Sequence, residues 1–241
     1  MGDSPKQTAK QVLMALREFA QPEKAAFFPR FFKSGPGQYG EGDKFLGVTV
    51  PNQRKIVKQF RDLHTTEIVK LLDSPWHECR LTAALILVNQ FQRSRTDSAQ
   101  KAIYDLYLKK KARINNWDLV DATAHKIVGP YLEERSRKPL YKLAKAKHLW
   151  SNRIAIIATL HFIKRNDFAD TIELSTLMLQ HPHDLMHKAI GWMLREIGKR
   201  DEKVLISFLR QHQCEMPRTM LRYAIEKLPE AKRKKAIKGT L

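Results

Sequence analysis

Apolar residues recur at helical spacing over nearly the whole chain. From Gln7 to Phe19 they fall at Val12, Leu13, Leu16 and Phe19, and Pro22 opens a second helix running to about Phe32. Thr49-Val50-Pro51 restarts the pattern, which then continues through turn signals at Ser74-Pro75, Thr96-Asp97, Gly129-Pro130, His181-Pro182, Met216-Pro217 and Leu228-Pro229. No strand alternation interrupts it. The exception is Ser34 to Val50, which holds five of the ten glycines with Tyr39, Phe45 and Leu46 between them. That stretch predicts one short β-hairpin near the N-terminus. Gly35 to Gly40 spell G-x-G-x-x-G, but no strand precedes them and no βαβ unit follows, which removes dinucleotide binding from consideration.

A longer period lies over the helical one. Arg80, Trp117, Arg153 and Lys188 follow one another at intervals of 37, 36 and 35 residues, and a further step lands at Arg222. A helix pair recurring at this length predicts an all-α, HEAT-like helical-repeat solenoid, in which each pair buries its apolar face by stacking on its neighbours and the inner helices line a concave surface. On that reading residues 1–241 form a single continuous domain.

Two helices carry the candidate chemistry. After Asn115-Asn116, a pair suited to capping, Val120, Ala124, Ile127, Val128 and Tyr131 form an apolar stripe with Trp117 at its margin and Asp121 on its shoulder. Asp118 lies further round, toward water. A half-desolvated carboxylate one helical turn from an indole suits the stabilisation of transient positive charge on a sugar or base; the plain alternative is a surface Asp beside an anchoring Trp. Between Pro182 and Arg200 the core stripe is Met186, Ala189, Ile190, Met193 and Ile197, while Trp192 shares the opposite arc with Lys188, Arg195 and Lys199. An indole among cations suits a nucleotide whose phosphates the cations hold, and its plain alternative is packing on a neighbouring repeat. Arg153, in the first turn of a helix beginning near Trp150, suits a phosphate contact or a salt bridge equally. Tyr39, between Lys33 and Lys44, sits where a hairpin tip would probe a DNA groove or junction, or belongs to a long loop with no such role.

Composition narrows the partner. Forty-four Lys and Arg against twenty-five Asp and Glu leave a net charge of +19, which calls for a polyanion, nucleic acid first. Cys79 and Cys214 lie far apart in helical patterns and suggest reduced thiols, with neither a disulfide framework nor a Cys-based metal site. His181, His183 and His187 lack metal-ligand spacing, so no metal or other cofactor is expected. Met1 to Lys10 show no signal core, and no apolar run reaches the ~18 residues of a membrane span. A soluble cytoplasmic protein, monomeric and without a membrane partner, is the expectation.

Asn115-Asn-Trp117-Asp-Leu-Val-Asp121, Trp150-Ser-Asn-Arg153 and Lys188-Ala-Ile-Gly-Trp192-Met-Leu-Arg-Glu196 together resemble the HEAT-like-repeat DNA glycosylases of the AlkD family, in order and over most of the chain. The resemblance implies a helical crescent that holds duplex DNA in a basic groove and removes 3-methyladenine and 7-methylguanine without a cofactor. It implies Asp121 as the catalytic carboxylate, Trp117 and Trp192 as the aromatic pair against the damaged nucleotide, and Arg153 as a backbone contact. The long glycine-rich excursion around Tyr39 looks like the hairpin of a related branch, similar to AlkF and AlkG, which implies a non-catalytic binder of branched DNA as the alternative. A protein-interaction scaffold is the second alternative, since solenoids serve that role too.

Overall fold

The computed structural model describes residues 7–241, so the reading of the N-terminus as free of a signal core lies, as far as Lys6, outside it. The described residues are helical: α1 (Ala9–Glu18), α2 (Pro22–Phe31), α3 (Val50–Gln59), α4 (Thr65–Leu72), α5 (His77–Arg93), α6 (Asp97–Lys109), α7 (Trp117–Leu132), α8 (Lys138–Ala144), α9 (Leu149–Ala158), α10 (Leu160–Ile163), α11 (Ala169–Leu177), α12 (Asp184–Gly198), α13 (Glu202–His212), α14 (Arg218–Ile225) and α15 (Glu230–Lys238). None is long and apolar enough to cross a membrane. The chain gathers into two compact units, divided between Thr123 and Ala124.

In the first unit α5 is the central helix, buried continuously from His77 to Val88, with α3, α4 and α6 against it. A helix buried on every side cannot be amphipathic, and its polar residues must find partners inside. In the second unit α9 has the same character, buried from Trp150 to Ala158 among α8, α11 and α12. The predicted stripes are in place: Val120, Ala124, Ile127, Val128 and Tyr131 on α7, and Met186, Ala189, Ile190, Met193 and Ile197 on α12, are all buried. The residues of the long period recur near helix starts, with Arg80 fourth in α5, Trp117 first in α7, and Arg153, Lys188 and Arg222 fifth in α9, α12 and α14.

Gly129-Pro130, expected to mark a turn, lie inside α7 instead. A Cβ at Gly129 would stand 2.5 Å from the carbonyl oxygen of Ala158, so the glycine serves close packing of α7 on α9, and Pro130 falls in the last turn, where it removes one intrahelical hydrogen bond close to the helix end. Gly191 does the same between α12 and α14, its Cβ position 2.5 Å from the carbonyl of Met220.

The β-hairpin predicted over Ser34 to Val50 does not form: no strand occurs among the described residues, and the sole bridge in this stretch pairs Lys44 with Trp76. The reason is a competing acceptor. Glu78, buried in the first turn of α5, receives the backbone N–H groups of Leu46 (3.0 Å), Gly47 (2.8 Å) and Val48 (3.2 Å), donors that a strand partner would have needed. Three successive amides on one carboxylate require a left-handed turn, and Gly47 supplies it at φ 81. The rest of the excursion is a series of tight turns, Gly35 to Gln38, Gln38 to Glu41 and Gly40 to Asp43. The segment is a strap, tied to α5 at Lys44 and at Leu46 to Val48.

Helix α12 begins in a histidine cap. The Nδ1 of His183 accepts from the N–H of Leu185 at 3.1 Å, and the Nδ1 of His181 accepts from the N–H of His183 at 3.1 Å, while His187 Nε2 meets the carbonyl of His181 at 2.5 Å. An imidazole nitrogen that accepts must be unprotonated. Burial, aided by neighbouring imidazoles, lowers the proton affinity of His181, and burial does the same for His183 against the pull of Asp184.

Glu78→Gln removes one of the two carboxylate oxygens and turns an NH2 toward amides, and should destabilise the protein by about 2–3 kcal/mol, measured as a shifted urea midpoint at unchanged m-value. Gly47→Ala, whose Cβ would lie 2.2 Å from the carbonyl oxygen of Gln21, should be destabilising in the same assay. The α12 cap works in the opposite pH direction to most histidine ion pairs. Its stability is complete above the ordinary value of 6.5 and is lost as pH falls through the lowered folded values, so the protection of the His183 and Leu185 amides against exchange, relative to the intrinsic rate at each pH, should fall on acidification.

Candidate functional site

In the first unit, the start of α7 is fixed by groups that converge from the strap, α2 and α5. Asn116, wholly buried, accepts from the N–H of Trp117 through Oδ1 at 2.9 Å and donates through Nδ2 to the carbonyl of Phe32 at 3.4 Å. Gly40 runs so close that a Cβ there would meet that same carbonyl at 2.7 Å. The Trp117 indole is half-buried and lies on an aromatic bed, stacked on Phe32 (centroids 5.6 Å) and edge-on to Phe31 (5.7 Å). Phe31 itself is 47% exposed. Asp121, one turn further along α7, is also half-buried and acts electrostatically on the Tyr107 hydroxyl, which is held by Thr123 at 2.8 Å.

Beneath this turn lies a buried group of four charges that the sequence did not announce. His77 Nδ1 faces Asp43 Oδ2 at 3.0 Å, and His77 Nε2 faces Asp118 Oδ2 at 2.8 Å. Arg80 binds the other oxygen of Asp43 through Nη2 at 2.6 Å, with Nε on Asn115 at 3.1 Å and Nη1 on the carbonyl of Ser74 at 3.1 Å. Carboxylates only accept, so both ring nitrogens of His77 carry protons and the ring is an imidazolium; two cations then balance two anions. Burial alone drives the His77 proton affinity down, but Asp118 and Asp43 outweigh it and raise the pKa to about 9. Asp118, expected to face water, is instead turned inward, its side chain 12% exposed. The available signal was α5 itself, where His77, Glu78 and Arg80 open a helix apolar on all sides and so required buried partners.

The second unit holds the other candidates. Trp192 is half-buried and donates its indole N–H to Glu196 at 3.0 Å. The cations of its arc are each engaged by an acid: Lys188 by Asp184 at 2.6 Å, Lys199 by Glu196 at 2.6 Å, and Arg195 by Glu226. Arg153, read from the sequence as equally suited to a phosphate or a salt bridge, is 4% exposed and donates through Nη1 to the carbonyl of Leu185 at 2.5 Å, a contact that ties α9 to the start of α12. Back in the first unit, Tyr39 sits half-buried in the turns of the strap, on no hairpin tip, with Lys33 and Lys44 exposed near it in sequence. The structure therefore brings Trp117 and Asp121 together at the head of one helix, and gathers Lys188, Trp192, Arg195 and Lys199 along another.

Among solved structures, one described as a predicted DNA alkylation repair enzyme from Enterococcus faecalis is similar, with TM-score 0.66 and 17% identity, covering 88% of this chain and 97% of that one. At that identity the likeness is one of fold. A comparison with curated protein sequences finds no match. The sequence pattern of the family described as DNA alkylation repair enzyme matches residues 12–228, from within α1 to beyond the end of α14. With nearly the whole helical array inside that match, the chain belongs to the DNA alkylation repair enzyme family.

Proposed function

We propose that this protein binds double-stranded DNA and hydrolyses the N-glycosidic bond of cationic alkylated purines such as 3-methyladenine and 7-methylguanine. The observation that carries the reading is the pairing of Trp117 and Asp121 one turn apart at the head of α7, both half-buried, in a chain of this family. An alkylated purine is already positively charged. When its bond to C1′ breaks, the electron pair leaves with the base as a neutral purine, and the positive charge passes to the sugar. Asp121 stabilises that charge and takes a proton from the water that adds to C1′, leaving an abasic site. An indole face such as that of Trp117 is attracted to the same cation. A lesion that leaves so readily needs no metal to activate it.

Trp192 and its cations support the DNA-binding half. A phosphate arriving at Lys188, Arg195 or Lys199 competes with a carboxylate already in place, so each contact contributes less than a free cation would, and affinity rests more on the net charge of +19. The recurrence of Arg80, Trp117, Arg153, Lys188 and Arg222 near helix starts supports reading the helix pairs as HEAT-like repeats.

Wild-type protein should free 7-methylguanine from methylated duplex DNA, and Asp121→Asn should reduce single-turnover release by roughly 100-fold while DNA affinity stays within about twofold. Equal release by the variant removes Asp121 from the chemistry. No release by wild type, together with tight junction binding that is lost on trimming Gly35 to Gly42, favours the branched-DNA reading instead. Affinity for random duplex should fall steeply with salt, log K against log salt giving a line of large negative slope. A flat line would point to a protein partner.

A further inference from the structure

Asp118 holds the key to how the first turn of α7 is oriented. Its Oδ2 accepts from His77, and its Oδ1 is buried with no hydrogen-bond partner among the described residues. The direction of this carboxylate is therefore set by one hydrogen-bond donor, while Asn116 and the aromatic bed hold the backbone and the indole beside it. The same imidazole lies 4.5 Å from the ring of Phe32, on which Trp117 stacks, and 5.1 Å from Phe45. Charge on one side and ring contact on the other connect His77 to both neighbours at the head of α7.

We propose that His77 is a positioning residue for the base excision proposed above, an imidazolium anchored to the strap by Asp43 that pins Asp118, so that Trp117 and Asp121 keep the orientation in which they meet a nucleotide. The inference rests on that reading of Trp117 and Asp121. The groups facing His77 are Asp43 from the strap, Asp118 from α7, Arg80 on its own helix, and the rings of Phe32 and Phe45. Arg80 stays bound to the far oxygen of Asp43 whatever the state of the imidazole, so Asp43 has a second donor and the Asp118 carboxylate does not. When His77 loses its proton, one nitrogen turns a lone pair toward a carboxylate, and Asp118 loses the cation in contact with it, keeping only the weaker attraction of Arg80. The pinning is complete below the ordinary value of 6.5 and is lost as pH rises through about 9.

The test pairs base release with a signal that needs no substrate. In wild type, the single-turnover rate of 7-methylguanine release should fall on the alkaline side, and the indole N–H resonance of Trp117 in the free protein should move with a midpoint near 9. In Asp118→Asn the acceptor remains but the charge does not. Release at pH 7 should drop about tenfold at unchanged DNA affinity, both alkaline midpoints should move to lower pH, and Asp118→Glu should recover part of the rate. The substrate's own titration is common to all three proteins and cancels in the comparison. An indole that ignores pH between 7 and 10, or an alkaline limb identical in wild type and Asp118→Asn, overturns the proposal. Should Asp118→Asn not fold, the wild-type indole titration decides alone. Absence of base release from wild type, with the indole still following His77, sinks the enzymatic reading and leaves the link from His77 to Trp117 standing.

Discussion

The constraint on which the first unit depends is the neutrality of four buried charges. Asp43, Arg80, His77 and Asp118 come from a loop, two positions of one helix and the first turn of another, and each balances the next. Removing any one leaves an uncompensated charge in a dry interior, far more costly than the absence of the whole group. The arrangement therefore behaves as a single unit, and it dictates where the strap, α5 and α7 meet. Glu78 completes it from the neighbouring position on α5 by gathering three strap amides. The result is a helix start that does not wander, which is what the roles proposed for Asp121 and Trp117 call for.

How much of this the sequence discloses varies with the kind of interaction. The stripes on α7 and α12 are legible because apolar burial follows a period, and every residue assigned to them is buried. The glycine-rich segment is legible as an exception to the helical pattern, but not in its form. Hairpin pairing and a carboxylate that takes the same amides compete for identical donors, and the winner depends on Glu78, some thirty residues away in sequence. Asp118 fails for a related reason: helical geometry places it away from the stripe, yet the His77 ring occupies that side. Arg153 stood at even odds between a phosphate and a salt bridge, and periodicity gave no sign of what the structure shows, a buried guanidinium that donates to the backbone carbonyl of Leu185. Periodicity reports what a helix buries against its own core; it is silent on polar partners from elsewhere in the chain.

The second unit illustrates how a strongly basic chain keeps order among its cations. Glu196 receives the Trp192 indole N–H and the Lys199 ammonium, and Arg195 is held by Glu226 from beyond α14. Held in this way, the long side chains are preset in rotamer, which in the proposed complex with DNA lowers the entropy lost on binding even as the acids weaken the attraction. Gly191, packed against the backbone of Met220, places this arc at a fixed height over α14.

The strap has a consequence for how such chains can vary in length. From Asp43 to Val48 each amide or side chain is matched to a particular atom of α5 or its neighbours, so one inserted residue would throw the whole row out of step. From Pro36 to Gln38 the backbone is exposed and its turns are local, so additions there disturb nothing beneath. Growth and shrinkage of this excursion among relatives should thus be confined to its outer arc, with the six residues from Asp43 onward kept at constant count.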